Sequence, residues 1–122
     1  MLKENKFLRS NFDSIMGTIE KLQKNGIYFN YNEVVGLCKK YCIIELSIFG
    51  SSIRDDFSLN SDVDLLVSFK EQSIITLFDI MDLEKEFSQL FNRTVDIVEK
   101  QSLKNPVRKN RILSTQEIIY AA

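Results

Sequence analysis

Two aspartates separated by one residue, Asp62 and Asp64, stand at the head of an apolar run from Asp62 to Phe69, DVDLLVSF. In an extended strand alternate side chains share a face, so this spacing puts both carboxylates on one side with Cα atoms about 6–7 Å apart. Two like charges held that close cost free energy unless a cation lies between them. Hard oxygen ligands select Mg²⁺, which takes one or two carboxylates from a protein and completes its octahedron with water and phosphate oxygens. The pair therefore points to a phosphorylated ligand. Asp96, the lone polar residue between Val95 and Ile97 in the run TVDIV, is a candidate third ligand if its strand lies beside the first.

Upstream, the short β-branched run Ile43 to Phe49 ends at Gly50-Ser51, and a short helical segment is expected from Ser52 to Asp55. Glycine lets backbone approach a phosphate closely, and amides at a helix start together with the Ser51 hydroxyl can donate hydrogen bonds to it. Arg54, one turn further on, can pair with a phosphate or with an acid of the site. A Gly-Ser pair alone is ordinarily a turn, an Asp-x-Asp a solvated loop or helix cap, and a single strand acid an exposed edge residue. Together, with ten residues between Ser51 and Asp62, they meet several independent constraints.

The elements that must position these residues are visible in hydrophobic periodicity. From Phe7 to Lys24 the residues Leu8, Phe12, Ile15, Met16, Ile19 and Leu22 recur at helical steps and stop near Asn25-Gly26. A second helix is expected from Tyr31 to Tyr41, capped by Asn30 or Asn32, and a third from Ile74 to Phe91 with Ile74, Leu77, Phe78, Met81, Phe87, Leu90 and Phe91 at helical spacing. Asn92 suits a left-handed stop. Strands are expected at Ile43–Phe49, Asp62–Phe69 and Thr94–Val98, with the polar loop Ser58-Leu59-Asn60-Ser61 before the second. After Pro106 the segment VRKNRILSTQEIIYA reads as a last helix with Ile112, Leu113 and Ile118 inward. This order predicts a small α/β layered domain of the α+β class, a short mixed sheet with helices packed on it.

Composition narrows the chemistry. The chain has 122 residues, 44% apolar and 27% charged, with nine Phe and four Tyr for a core, which is the size of one domain. A net charge of -1 and a pI near 5.5 give no field for non-specific nucleic acid binding. A local basic cluster, Lys100, Lys104, Arg108, Lys109 and Arg111, is either a solvated helix face or a contact for a triphosphate or an acidic partner. The absence of histidine excludes Ser-His-Asp and Cys-His sites and imidazole-dependent hydrolysis. Cys38 and Cys42, one helical turn apart in a segment that reads as helix, read as small, partly buried apolar residues of a reducing compartment. No apolar stretch has the length of a signal peptide or a membrane span, so a cytoplasmic location is expected.

The stretch SIFGSSIRDDFSLNSDVDLLVSF closely resembles the signature of the minimal nucleotidyltransferases, the MNT group of the DNA polymerase β-like superfamily. There Gly-Ser, ten residues and Asp-x-Asp define the active site, matching Gly50, Ser51, Asp62 and Asp64. The family's third carboxylate, in a strand after the long helix, matches Asp96 in TVDIV. The likeness runs from about Asn30 to Tyr120, leaving residues 1–29 as an extra N-terminal helix on one nucleotidyltransferase domain of 1–122. Where many members have Arg-Gly, this chain has Arg54-Asp55.

The resemblance implies transfer of a nucleotide from ATP to a hydroxyl with two Mg²⁺ ions. Asp62 and Asp64 would bridge the ions, and Asp96 would serve the one that binds the acceptor oxygen. Only 26 residues follow Asp96, so the acceptor is expected from outside the chain. Many such small proteins are antitoxins encoded beside a HEPN-domain toxin, some transferring AMP to a toxin tyrosine, and the resemblance implies that partner here. Two alternatives stay open: a non-catalytic antitoxin that masks its toxin by contact, and a small-molecule transferase of the aminoglycoside type with a homodimer cleft as acceptor site.

Overall fold

The computed structural model describes residues 2–55, 57 and 61–122, with side chains described from Phe12 onward. The expected loop residues Ser58, Leu59 and Asn60, and the side chain of Leu8, lie outside the described residues. Among the described residues the chain forms four helices and a four-stranded sheet. In chain order these are α1 (Leu2–Lys24), α2 (Tyr31–Lys40), β1 (Ile43–Phe49), a 3₁₀ turn (Gly50–Ile53), β2 (Val63–Phe69), α3 (Leu77–Phe91), β3 (Val95–Glu99), a 3₁₀ turn (Lys100–Ser102), α4 (Pro106–Thr115) and β4 (Glu117–Ala121).

Local chemistry sets the helix ends. Asn30 caps α2 by accepting the Asn32 amide at 2.9 Å. Thr76 and Asp79 form a reciprocal capping box at the start of α3, so the helix begins after Ile74-Ile75 rather than at Ile74. Asn92 closes α3 in the left-handed conformation, φ +53°. Asn105 caps α4, with Pro106 in the first turn where its missing N–H costs nothing.

The sheet order is β3-β2-β1-β4. β1 runs antiparallel to β2 and β4, while β2 and β3 are parallel and joined through α3, the crossover that parallel neighbours require. Strand alternation divides the sheet into two faces. Val63, Leu65 and Val67 point to the main core, where Leu22 of α1, Val34 and Cys38 of α2, and Leu83, Phe87 and Phe91 of α3 are buried with them. Leu66 points the other way, into a smaller cluster with Leu103 and with Ile112 of α4.

Four expectations need correcting. The last helix stops at Thr115, and Glu117–Ala121 is a strand on the open edge of β1, with Ser47 opposite Ile118 and Leu46 opposite Tyr120. Its buried residue is Ile119, fully covered, while Ile118 is exposed. The Tyr31 hydroxyl donates to the Ile119 carbonyl at 2.7 Å and ties this strand to α2. Cys42 lies beyond α2 in a left-handed turn and is exposed, whereas Cys38 is buried and its thiol pushed up to about 12 by burial. On α3 the buried stripe is Leu83, Phe87 and Phe91; Ile74 (89% exposed), Leu77, Phe78 (76%) and Met81 face outward. In α1, Phe12 and Met16 are likewise exposed, and among its described side chains the buried ones are Thr18 and Leu22, near the end that meets β4.

Candidate active site

β2 and β3 pair with Val63 opposite Val95 and Asp64 opposite Asp96, so the two valines share the core face and the two carboxylates share the other. Asp64 is half-buried and Asp96 exposed. Asp62 precedes β2 by one residue and is also exposed. On the other flank of β2, Phe49 of β1 is opposite Asp64, and the chain turns immediately at Gly50 into the 3₁₀ segment. The expected Asp-x-Asp pair, the third aspartate and the Gly-Ser turn therefore converge at one end of the sheet.

Gly50 has a requirement that the sequence did not reveal. Its φ is +80°, and a Cβ at this position would collide with Oδ2 of Asp64 and lie 3.4 Å from its Cγ. The glycine makes room for a carboxylate as well as offering backbone to a phosphate. The 3₁₀ segment spans Gly50–Ile53 rather than starting at Ser52, with Ser52 buried and Arg54 exposed just after it. It is held from outside by Asn25, whose side-chain amide donates to the carbonyls of Ser52 (2.8 Å) and Arg54 (3.1 Å). Asn25 reads in the sequence only as the end of α1, and nothing local signals that it pins the turn 25 residues later.

Electrostatics at Asp64 reflect this crowding. Burial pushes its carboxyl above the usual range, the charges of Asp96 and Asp62 push it further, and Arg108 and Arg54 oppose them. Four charged groups thus bear on one carboxylate, and they come from β3, the residue before β2, the end of the 3₁₀ turn and α4. The donor set is oxygen only and like-charged, which is the chemistry that a hard divalent cation relieves. Among the described residues no three such side chains stand arranged to hold a metal ion by themselves. Mg²⁺ is ordinarily held by one or two carboxylates and by the phosphates of its substrate rather than by an all-protein cage. A cavity of about 660 Å³ opens beside Asp62, lined also by Ser61, Tyr28, Asn92, Arg93 and Thr94.

Comparison with known proteins agrees with this geometry. The family described as polymerase beta nucleotidyltransferase matches residues 32–122, which hold every site residue named above except Asn25 and Tyr28. The chain belongs to this nucleotidyltransferase family. Its relatives include the protein adenylyltransferase MntA of Thermococcus cleftensis, 34% identical over 84 residues, 69% of this chain and 80% of the relative. In fold it is similar to a crystal structure of a toxin–antitoxin with AMP-PNP, at a TM-score of 0.62 and 18% identity, covering 76% of this chain and 74% of the other. It is also similar in fold to the complex of a tri-AMPylated Shewanella oneidensis HEPN toxin with MNT antitoxin, at a TM-score of 0.56 and 16% identity, covering 83% and 73%.

Within this nucleotidyltransferase, α1 precedes the matched residues yet bears on the site. Asn25 follows its last residue, and the helix itself supplies Lys21 and Thr18, which hold Glu117 of β4 at 2.8 and 3.0 Å. Among the described residues no helix is long and apolar enough to cross a membrane.

Proposed function

We propose that this nucleotidyltransferase transfers AMP from ATP to a tyrosine hydroxyl of a HEPN-type toxin and so acts as its antitoxin in the cytoplasm. The observation that carries the reading is the register of Asp64 against Asp96, both facing away from the core beside the Gly50 turn. The relative named as a protein adenylyltransferase supports the reaction class. The fold shared with toxin–antitoxin structures supports the choice of partner.

In this reading Asp62 and Asp64 would hold Mg²⁺, with Asp96 completing the set. Held there, Mg²⁺ would supply charge neutralisation of the phosphate oxygens and a lowered pKa of the acceptor hydroxyl. Gly50 and Ser51 bind the phosphates through backbone and hydroxyl donors, and Arg54 adds a charge-assisted contact. The tyrosine oxygen attacks the α-phosphorus, the new O–P bond replaces the bond to the β-phosphate bridge, and pyrophosphate leaves. Asp96, exposed at the site, would take the hydroxyl proton.

The test is transfer of label from α-labelled ATP, with Mg²⁺, to proteins that co-purify with the chain, comparing the parent with Asp62→Ala/Asp64→Ala. Label on a partner that vanishes in the double variant supports the reading. A partner that the double variant still silences, with no label on any acceptor in the parent, overturns it in favour of masking by contact. Label on a small polyol without a protein partner overturns it in favour of a small-molecule transferase.

A further inference from the structure

The segment 25–30, which joins α1 to α2, precedes the family-matched residues 32–122 and meets the site twice. Asn25 holds the carbonyls of Ser52 and Arg54 at the Gly50 turn. Further along the segment, Tyr28 lines the cavity of about 660 Å³ that opens beside Asp62. Its neighbours fix it there. Ile27 is buried and its amide donates to the Leu22 carbonyl at 2.9 Å, while the ring of Phe29 meets that of Phe91 edge-on, with centroids 4.9 Å apart. Two anchored side chains on either side of one residue in an extended segment turn the middle one outward, and Tyr28 is 67% exposed.

The chain has four tyrosines, and the other three are engaged elsewhere. Tyr31 donates its hydroxyl to the Ile119 carbonyl, and Tyr41 donates to the Glu86 carboxylate. Tyr120 is half-buried and packs against the main core. Among the described residues the Tyr28 hydroxyl has no hydrogen-bond partner. Tyr28 is thus the exposed tyrosine, and it shares a cavity with a carboxylate of the site.

We infer that Tyr28 is a modification site, at which the chain transfers AMP from ATP to a tyrosine hydroxyl of its own molecule. The inference rests on the nucleotidyl-transfer reading, in which the acceptor is a tyrosine hydroxyl, and it adds an acceptor from a segment outside the family-matched residues. The Tyr28 oxygen attacks the α-phosphorus, the new O–P bond replaces the bond to the β-phosphate bridge, pyrophosphate leaves and the phenolic proton passes to solvent. An acceptor carried on the same chain is present at a high effective concentration, so this step needs no partner and precedes transfer to an outside protein when that protein is scarce. Once formed, adenylyl-Tyr28 fills part of the cavity beside Asp62.

The experiment is intact mass and peptide mapping of the purified chain after incubation with ATP and Mg²⁺ and no other protein. The parent is compared with Tyr28→Phe, Tyr120→Phe and Asp62→Ala/Asp64→Ala. The expected result is a gain of one adenylyl group on the parent, mapped to Tyr28, kept by Tyr120→Phe and lost from Tyr28→Phe and the aspartate double variant. Its rate does not change with chain concentration, as a step within one molecule requires. Tyr28 is exposed, so loss of its hydroxyl leaves folding intact, which thermal melting checks. A gain mapped to any other residue overturns the inference, and so does a gain at Tyr28 whose rate rises with chain concentration, which is transfer between copies. Label on a co-purifying partner, with the mass of the chain itself unchanged, sinks this inference alone. A gain at Tyr28 with no label on any partner supports it and overturns the choice of partner. Unchanged mass together with no label on any acceptor sinks the transfer reading and this inference with it.

Discussion

On the face of the sheet covered by α1, α2 and α3, β2 contributes Val63, Leu65 and Val67, all fully buried among Leu22, Val34, Leu83 and Phe87. On the opposite face the same strand contributes Asp64 and then Leu66, whose buried companions are Leu103 and Ile112. One seven-residue strand thus serves two environments, because its side chains alternate. The thick face supplies the apolar burial that orders the sheet. The thin face can then carry carboxylates that repel one another, at positions fixed by the backbone rather than by their own attractions. Stability and chemistry are divided by face, and substitutions on the two faces should separate accordingly.

Asp64→Asn should have the largest effect, lowering AMP transfer about a thousandfold, in keeping with the several kcal/mol that a metal-assisted phosphate site contributes, with little loss of folding. Steady-state transfer rates beside thermal melts check this, and an unfolded variant would break the division by face. Phe87→Ala, on the thick face, should cost about 3–5 kcal/mol in denaturant unfolding, the usual range for a buried aromatic, while the fraction still folded keeps its transfer rate. Gly50→Ala joins the two effects. The positive φ strains the backbone by about 1–3 kcal/mol and the new Cβ displaces Asp64, so both unfolding free energy and transfer rate should fall.

Asn25→Ala should cost about 1 kcal/mol, the net worth of an ordinary hydrogen bond, and should raise the KM for ATP more than it lowers kcat, because it loosens the phosphate turn and not the carboxylates. The smallest effect concerns pH. The carboxyl of Asp64 is raised in the folded chain, so that chain holds its proton to higher pH than the unfolded one. Stability is therefore lost as pH climbs from the unfolded carboxylate value through the raised folded one. Asp64→Asn removes that loss. Its melting temperature, measured without nucleotide or Mg²⁺, should match the parent at the acid end of this window and exceed it by a growing margin towards the neutral end.

Much of the site was legible because its signals are local. An Asp-x-Asp at the head of an apolar run, an isolated Asp96 between Val95 and Ile97, and a Gly-Ser at a strand end each announce themselves within a few residues. The first three strands and the order of the helices followed from periodicity in the same way. What stayed hidden depends on distant partners. EIIYA continues the helical pattern of α4 with no glycine or proline between them, and becomes β4 because the edge of β1 is open to receive it. Periodicity on α3 gave the helix but not the face, since Leu77, Phe78 and Met81 repeat as regularly as Leu83, Phe87 and Phe91 yet lie outward. The part played by Asn25 requires knowing that the end of α1 comes to lie beside the Gly50 turn.

The most direct measurement is the intact mass of a purified HEPN toxin incubated with this chain, ATP and Mg²⁺, followed by peptide mapping of the added mass. The account predicts one or more adenylyl groups on tyrosine, formed by the parent and absent with Asp62→Ala/Asp64→Ala. A toxin of unchanged mass that is nevertheless silenced equally by the parent and by the double variant would contradict it.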